Sequence, residues 1–443
     1  MRLHRRSTRT LLAAALAGGL VATVCTVAPA GPASAATATA PIDKRLFGIH
    51  DTDPTSWPAS NPGSLRLWDA GVAWRDIETS PGVYDFSRLD ADVRVAHTAG
   101  AEVTLVLGQT PSFYAPSGGD QTSNPTSLAA WDSYVRALVT RYSAASWGYR
   151  GIAAYQVWNE ANVTGYWTGT PQQMAILTEH TYNAVKSVDR GALVVSPAFA
   201  SRIAEQIRGI KRFAFAWTDG KPAWRYTDAI SLNLYPLDLY AGVPGTPEKS
   251  MSLLAKARTL LGYGGLPATF PIWNTEINYG MVSGGKGAVP IASQLQMAYV
   301  LRTYLLNAAN GMRRVDWYAY DQRYLANGRT LGNVRLSDPA NGGTISSAGR
   351  TYQLAEKWMV GARLVPTRSG SKLCATDSNG TYTCVLTYQG GVRRVYWNPT
   401  KKVRVTTVKG ATYKVGIYGT RTAVKGGSRL RVDYRPVMVR SKH

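Results

Sequence analysis

Two short stretches carry carboxylates where an apolar run gives out. "AYQVWNEAN" (154–162) ends its run in Trp158, Asn159 and Glu160, and "FPIWNTEIN" (270–278) ends in Glu276 and Asn278. Two carboxylates facing each other across a cleft are the equipment for cleaving a glycosidic bond. One protonates the leaving oxygen, and the other attacks the anomeric carbon or activates water. A gap of about 5–5.5 Å gives retention of configuration, and one of ~6.5–9.5 Å gives inversion. The pair needs two different pKa values, one raised and one low. Arg66, in "GSLRLWD", is a cation able to hold one carboxylate ionised. His50 and Asp51 end "RLFGIHD" (45–51) and are open between substrate contact and loop hydrogen bonding. Gln109 ends "AEVTLVLGQ", Tyr235 ends "DAISLNLYP", and Trp317 and Asp321 lie in "RRVDWYAYD". Tyr235 and Trp317 also admit plain packing, which is the better reading for Trp158. Trp74, Phe113, Tyr114, Trp167 and Tyr279 are further aromatics able to stack on sugar faces.

Something must bring these strand ends together. The chain alternates strand-like runs at 45–51, 63–69, 101–109, 152–160, 192–199, 228–236, 270–278 and 313–321 with helical stretches. "FSRLDADVRVAHTAG" closes on Gly100, "SLAAWDSYVRALVTRYS" has apolar residues at helical spacing, and "PQQMAILTEHTYNAVKSVD" starts on Pro171. "ASQLQMAYVLRTYLLNAAN" and "SSAGRTYQLAEKWMVG" complete the helices that this reading picks out. Eight such strands predict an α/β fold, a (β/α)8 TIM barrel, over residues 45–362. The runs are apolar on both faces, as parallel strands covered on both sides must be. A doubly wound sheet would show a Gly-rich phosphate turn after its first strand, and "FGIHDTDP" is not one. In a barrel the catalytic groups sit at the C-terminal ends of the strands, which gathers the candidates at one rim.

From Arg363 the texture changes. "TYTCVLTYQ", "GVRRVYWNP", "KVRVTTVKG" and "SRLRVDYRPVMV" are short alternating runs split by Gly, Asn and Pro. They predict a smaller C-terminal antiparallel β-sandwich domain over residues 363–443.

"WNE" closing a fourth strand and "TE" closing a seventh resemble the signature of glycoside hydrolase clan A, the TIM-barrel retaining glycosidases. The resemblance covers roughly residues 45–360. It implies that Glu160 is the acid/base, that Glu276 is the nucleophile, and that Asn159 binds the sugar 2-hydroxyl. It further implies that Arg66 and Tyr235 support the nucleophile and that Trp317 forms a platform under the sugar. His50 and Gln109 are then substrate-binding candidates at the rim. "LRLWDAGVAWRDIETSPGVYDFSRLD" and the β-rich appendage are closest in feel to family thirty-nine, with family five as the other candidate. The expected activity is a retaining glycoside hydrolase acting on a polysaccharide or oligosaccharide, with no cofactor and no metal. The competing reading is a non-catalytic carbohydrate-binding or wall-associated protein on the same barrel, and the intact carboxylate pair argues against it.

Residues 1–35 read as a signal peptide: a basic start, an apolar Ala-rich run and "ASA" before a cleavage point near Ala35. Residues 36–44 read as a linker. The protein is therefore expected outside the cell, secreted or wall-associated, with no transmembrane segment after cleavage. Cys25 leaves with the signal, so Cys374 and Cys384 are expected to form a disulfide. No Cys/His cluster has metal-ligand spacing. The net charge of +23 is uneven. From Arg363 onward seventeen Lys or Arg face only Asp377 and Asp433, which leaves +15. The segment has no nucleic-acid-binding pattern, so an anionic wall polymer or acidic polysaccharide is its expected partner.

Overall fold

The computed structural model describes residues 38–442 apart from 55–56, 117–118, 237–244, 281–289, 321–332, 339–343 and 368–371. The stretch read as a signal peptide, with Cys25, and Asp321 at the end of the eighth strand-like run lie outside the described residues.

Eight parallel strands close into a barrel. They are β1 (Phe47–His50), β2 (Ser64–Leu67), β3 (Glu102–Val106), β4 (Ala154–Gln156), β5 (Leu193–Ala200), β6 (Ala229–Asn233), β7 (Ile272–Ile277) and β8 (Val315–Tyr318). Each pairs with its neighbours in chain order, and β8 closes on β1 through Phe47 opposite Val315 and His50 opposite Tyr318. The barrel is the architecture that the alternation predicts. Apart from β5 the strands are shorter than the apolar runs, and β4 stops at Gln156, so Asn159 and Glu160 stand on the loop beyond it.

Helices pack outside: α1 (Ser87–Thr98), α2 (Leu128–Arg141), α3 (Pro171–Val188), α4 (Ala204–Ala214), α5 (Pro247–Tyr263), α6 (Ser293–Ala309) and α7 (Ser347–Met359). Their starts follow from local chemistry. In α3 the Thr170 hydroxyl accepts from the Gln173 N–H, the Gln173 side chain returns the bond, and Pro171 fills the first position. Thr246 and Pro247 start α5 in a similar way. α4 and α5 escape the sequence reading. Their signals are present as Ile207, Ile210, Phe213 and Ala214 in one and Leu254, Ala257 and Leu261 in the other.

The barrel interior is graded. Ala154, Val195, Ala229 and Trp273 form an apolar cluster. Above it Arg66, Gln156, Ser231 and Thr275 are buried polar groups bonded to one another or to the cleft residues. Polar side chains inside a barrel are stable only when paired, and this network leads up to the C-terminal rim.

Beyond α7, a sheet runs in the order β9 (Arg363–Val365), β11 (Tyr382–Tyr388), β12 (Gly391–Trp397), β17 (Val437–Ser441), β14 (Ala411–Val415), β15 (Arg421–Ala423), and β10 (Cys374–Thr376) pairs with β11. A separate ribbon of β13 (Val403–Thr406) and β16 (Arg429–Val432) lays Val403, Val405, Leu430 and Val432 over it around Tyr396 and Val439. This two-layered arrangement is the β-sandwich. Cys374 and Cys384 are directly opposite across β10 and β11 and form the expected disulfide.

Residues 36–443 form one compact unit. The end of the stretch read as a linker is laid along the chain after α7: the Thr39 N–H donates to Leu364 O and the Ile42 N–H to Ala362 O. Ile42 is buried, which explains why this segment is ordered. The helix α6 is buried on almost every face because the barrel covers one side and the sandwich meets the other. At that junction Glu248 pairs with Arg302 of α6 and accepts from Trp397 Nε1 at 2.9 Å. Among the described residues no helix is long and apolar enough to cross a membrane.

Candidate active site

Arg66 stands inside the barrel on β2 with none of its surface exposed. Its guanidinium donates to three side chains: Nη1 to Glu276 Oε1 at 2.7 Å, Nη2 to Asn159 Oδ1 at 2.8 Å and Nε to Gln156 Oε1 at 3.0 Å. The planar fork suits this use, because one rigid group orients acceptors from β4, the loop after it and β7. Tyr235 completes the cradle by donating to Glu276 Oε2 at 2.9 Å. Donors thus face both oxygens of Glu276, as a carboxylate anion accepts them.

The register helps to aim Glu276. Between β6 and β7 it slips, so that Leu232 faces Asn274 but Asn233 faces Glu276. Such an irregularity re-aims side chains and is common beside active sites. Thr275 points into the barrel, where it bonds Ser231 at 2.6 Å and donates to Asn233 Oδ1 at 2.9 Å. That fixes the Asn233 amide with its nitrogen outward, and Nδ2 donates to Glu160 Oε1 at 3.0 Å. Asn233 is a site residue that the sequence reading misses.

Glu160 has the opposite electrostatic setting to Glu276. Its pKa is pushed up to about 7, first by burial at the cleft floor and then by the charge of Glu276. The Asn233 hydrogen bond and the charges of Arg202 and Arg66 oppose that rise. Its backbone is left-handed, with φ of 41°. Asp69 and Gln109, on the loops after β2 and β3, share that conformation at 42° and 59°. Left-handed residues other than glycine cost of order 1–3 kcal/mol each and concentrate at functional sites.

Glu160 and Glu276 line one cleft of about 310 Å³ with Asn159, Gln109, Trp68, Asp69, Tyr166, Arg202, Gln206, Tyr235 and Tyr318. The structure thus brings Asn159, Tyr235 and Gln109 together around the two carboxylates, with Arg66 buried against them. Trp317 is not among them. It is fully buried, donates from Nε1 to Val334 O, and packs beside Tyr304 of α6 and Tyr279. Successive side chains on a strand face opposite sides, so it is the next residue, Tyr318, that lines the cleft. His50 is also fully buried and makes no cleft wall. Its Nε2 is 2.7 Å from Asp69 Oδ1 and its ring packs on Tyr318, so it positions two residues that do line the cleft. Asp51 is buried too, and its Oδ1 accepts from the Asp53 N–H within the loop.

The cleft aromatics are Trp68, Tyr166, Tyr235 and Tyr318. Trp74, Trp167 and Tyr279 are buried in the core, and Phe113 and Tyr114 stand outside this cleft. Trp158 is core, packed on Trp131 and Trp167. Beneath the site, Asp316 is a buried carboxyl whose pKa burial raises to about 7 against the charges of Arg66 and Arg314. Gly48 stands beside it, where a Cβ would lie 2.0 Å from Asp316 Oδ1 and force that carboxyl to shift.

No family model matches this sequence. No curated protein matches it either. Solved structures do match in fold. A family 39 glycoside hydrolase from Bacteroides cellulosilyticus WH2 superposes with a TM-score of 0.65 at 15 % identity, covering 90 % of this chain and 81 % of its own. A monomeric β-xylosidase from Caulobacter crescentus CB15 gives a TM-score of 0.59 at 15 % identity, covering 91 % and 97 %. A family 30 endoxylanase from Clostridium papyrosolvens C71 gives 0.56 at 15 % identity, covering 91 % and 97 %. The chain therefore shares the fold of these glycoside hydrolase structures over most of its length.

Proposed function

We propose that this chain is a secreted retaining glycoside hydrolase. The observation that carries the reading is the unequal treatment of two carboxylates in one cleft: Glu276 is held by Arg66 and Tyr235, and Glu160 has its pKa raised to about 7. That separation of environments assigns the roles. Glu160 donates its proton to the glycosidic oxygen as that bond breaks, and Glu276 bonds to the anomeric carbon. Water then attacks the glycosyl-enzyme, Glu160 takes its proton, and Glu276 leaves as the carboxylate. Two inversions retain the configuration. Asn159, fixed by Arg66, is placed to bond a sugar hydroxyl beside Glu276. None of these steps calls on a cofactor.

Aryl β-xylosides and β-glucosides head the test panel, because similar structures are named as xylosidase, endoxylanase and glucosidase. Glu160→Ala and Glu276→Ala should both lose turnover. Azide should rescue Glu276→Ala and yield a glycosyl azide of inverted configuration. Wild type and variants that are equally inert across a broad panel would leave the non-catalytic carbohydrate-binding reading in its place. Export is tested by sequencing the N-terminus of the protein recovered from culture medium, which should begin just after Ala35.

The sandwich adds a partner to this reading, an anionic wall polymer or acidic polysaccharide. On the outer face of the β13–β16 ribbon, Arg404 is directly opposite Arg431, and Thr406 is opposite Arg429. All three arginines are exposed, and no carboxylate among the described residues pairs with them. Like charges directly opposite destabilise a ribbon, and a bound polyanion would relieve them. Retention on an anionic polysaccharide should fall when Arg404, Arg429 and Arg431 are changed to Glu, and it should fall with salt. Retention indifferent to both would remove this partner.

A further inference from the structure

Arg202 is a cation in the cleft that the reaction as described does not use. It stands on the short loop between β5 and α4, and that loop is tied down from three sides. The Arg202 N–H donates to Gln206 Oε1 at 2.7 Å, Ser201 Oγ donates to Asn233 O at 2.8 Å, and the Asn162 side chain bonds both the N–H and the C=O of Ala200. The guanidinium lies over the ring of Tyr235, 4.5 Å from its centre. That same tyrosine donates to Glu276. The charged group is therefore held in place beside the reacting carboxylates on a prebuilt support.

Its pairing sets it apart. Arg66 is buried and committed to three acceptors. Arg202 is the one cation among the described residues that line the cleft, it is partly exposed there, and no carboxylate among the described residues pairs with it. The anions of the cleft face other groups: Asp69 has His50, Glu276 has Arg66, and Glu160 has Asn233. The charge of Arg202 is felt by Glu160, but its guanidinium makes no direct ion pair with a carboxylate of the described residues, and such a group on an aromatic face is a preorganised fork for a planar anion.

We propose that Arg202 binds the carboxylate of an acidic sugar, so that the substrate of this cleft contains uronic acid. This rests on the glycosidase reading for the word substrate, but not for the binding itself. Arg202 lines the cleft with its guanidinium over the Tyr235 ring, and its N–H groups donate there to the two oxygens of the carboxylate. The rival role is a charge that only tunes Glu160. It predicts no preference between acidic and neutral sugars.

The test needs no turnover. Glucuronate and galacturonate, with glucose and galactose as their neutral parents, are titrated calorimetrically into wild type, Arg202→Gln and Arg202→Lys. The acids should bind wild type about 10- to 100-fold more tightly than their parents, the range that hydrogen bonds to a charged group supply. Arg202→Gln should abolish that preference and leave the neutral sugars unchanged, and Arg202→Lys should keep part of it. Equal binding of acid and parent by wild type overturns the proposal, as does a preference that survives in Arg202→Gln. A tighter grip on glucose 6-sulfate than on glucuronate overturns the carboxylate assignment. Inertness of an aryl glycoside panel that includes glucuronides and galacturonides, with the acid preference intact, would remove the glycosidase reading and leave this site standing.

Discussion

Asn233 Nδ2 stands 3.0 Å from Glu160 Oε1, and the backbone of Asn233 is opposite Glu276 across the β6–β7 ladder. One residue thus touches one carboxylate and neighbours the other. Its amide is oriented from below by Thr275, whose hydroxyl in turn meets Ser231.

This bond sets the pH behaviour of the acid. Because the Asn233 amide lowers a pKa that burial has raised to about 7, Asn233→Ala should raise it further. Glu160 then stays protonated to higher pH, and the basic limb of kcat/KM should move upward while kcat falls by roughly 10- to 100-fold. A pH–rate profile of the variant checks this. A basic limb that moves down, or stays in place, would detach Asn233 from the acid.

The same raised pKa predicts a stability signature. A carboxyl with a folded-state pKa above its unfolded value of 4.5 stabilises the fold fully below pH 4.5, and that contribution is lost as pH rises through about 7. Glu160→Gln removes the titration. Its melting temperature should match wild type near pH 4 and exceed it near pH 8, by about 1–3 kcal/mol of stability. An equal offset at both pH values would mean that burial of the charge is not the cause.

Arg66 is the keystone of the cradle. Arg66→Met leaves Glu276 buried without its cation and should cost about 3–5 kcal/mol. Arg66→Lys keeps the charge but cannot reach Glu276, Asn159 and Gln156 in one plane. It should fold, and kcat should fall by roughly 100-fold or more with a smaller change in KM. A lysine variant with wild-type kcat would show that charge alone, not the fork, is what the site needs.

How much of this was open to reading in the sequence differs from residue to residue. The barrel follows from eight apolar runs, and the rim follows from what ends each run, so Glu160, Glu276, Arg66, Asn159 and Tyr235 could be placed together. Asn233 could not, because a single amide inside "AISLNLYP" has no period of its own. Arg202 belongs to a loop, where spacing carries no direction. "WYAY" offers two adjacent aromatics that face opposite sides, and only the closure of β8 on β1 decides that Tyr318 is the one in the cleft. The left-handed turns at Asp69, Gln109 and Glu160 leave no trace in composition.

The exchange of Trp317 for Tyr318 is open to a paired test. Trp317→Ala empties a fully buried site and should cost about 3–5 kcal/mol while the folded fraction keeps its KM. Tyr318→Ala touches the cleft and should raise KM or lower kcat with a smaller loss of stability. The reverse pattern would return the platform to Trp317.

The joint between barrel and sandwich gives a prediction of opposite sign to that of Glu160. Burial alone would raise the pKa of Glu248, but the charge and hydrogen bonds of Arg302 and the indole N–H of Trp397 outweigh it, and the net shift is downward. A lowered pKa adds stability above the unfolded value of 4.5, and that stability is lost as pH falls below it. Glu248→Gln should therefore destabilise the protein strongly at pH 7, by about 3–5 kcal/mol for a buried pair broken on one side, and much less at pH 3. Because Trp397 stacks on Tyr382 at 4.8 Å and belongs to the sandwich sheet, the loss should pass to both parts. Calorimetry of wild type should show one unfolding transition, and Glu248→Gln should lower it as a whole. Two separate transitions in wild type, with only one moved by the variant, would show that the junction does not couple the barrel to the sandwich.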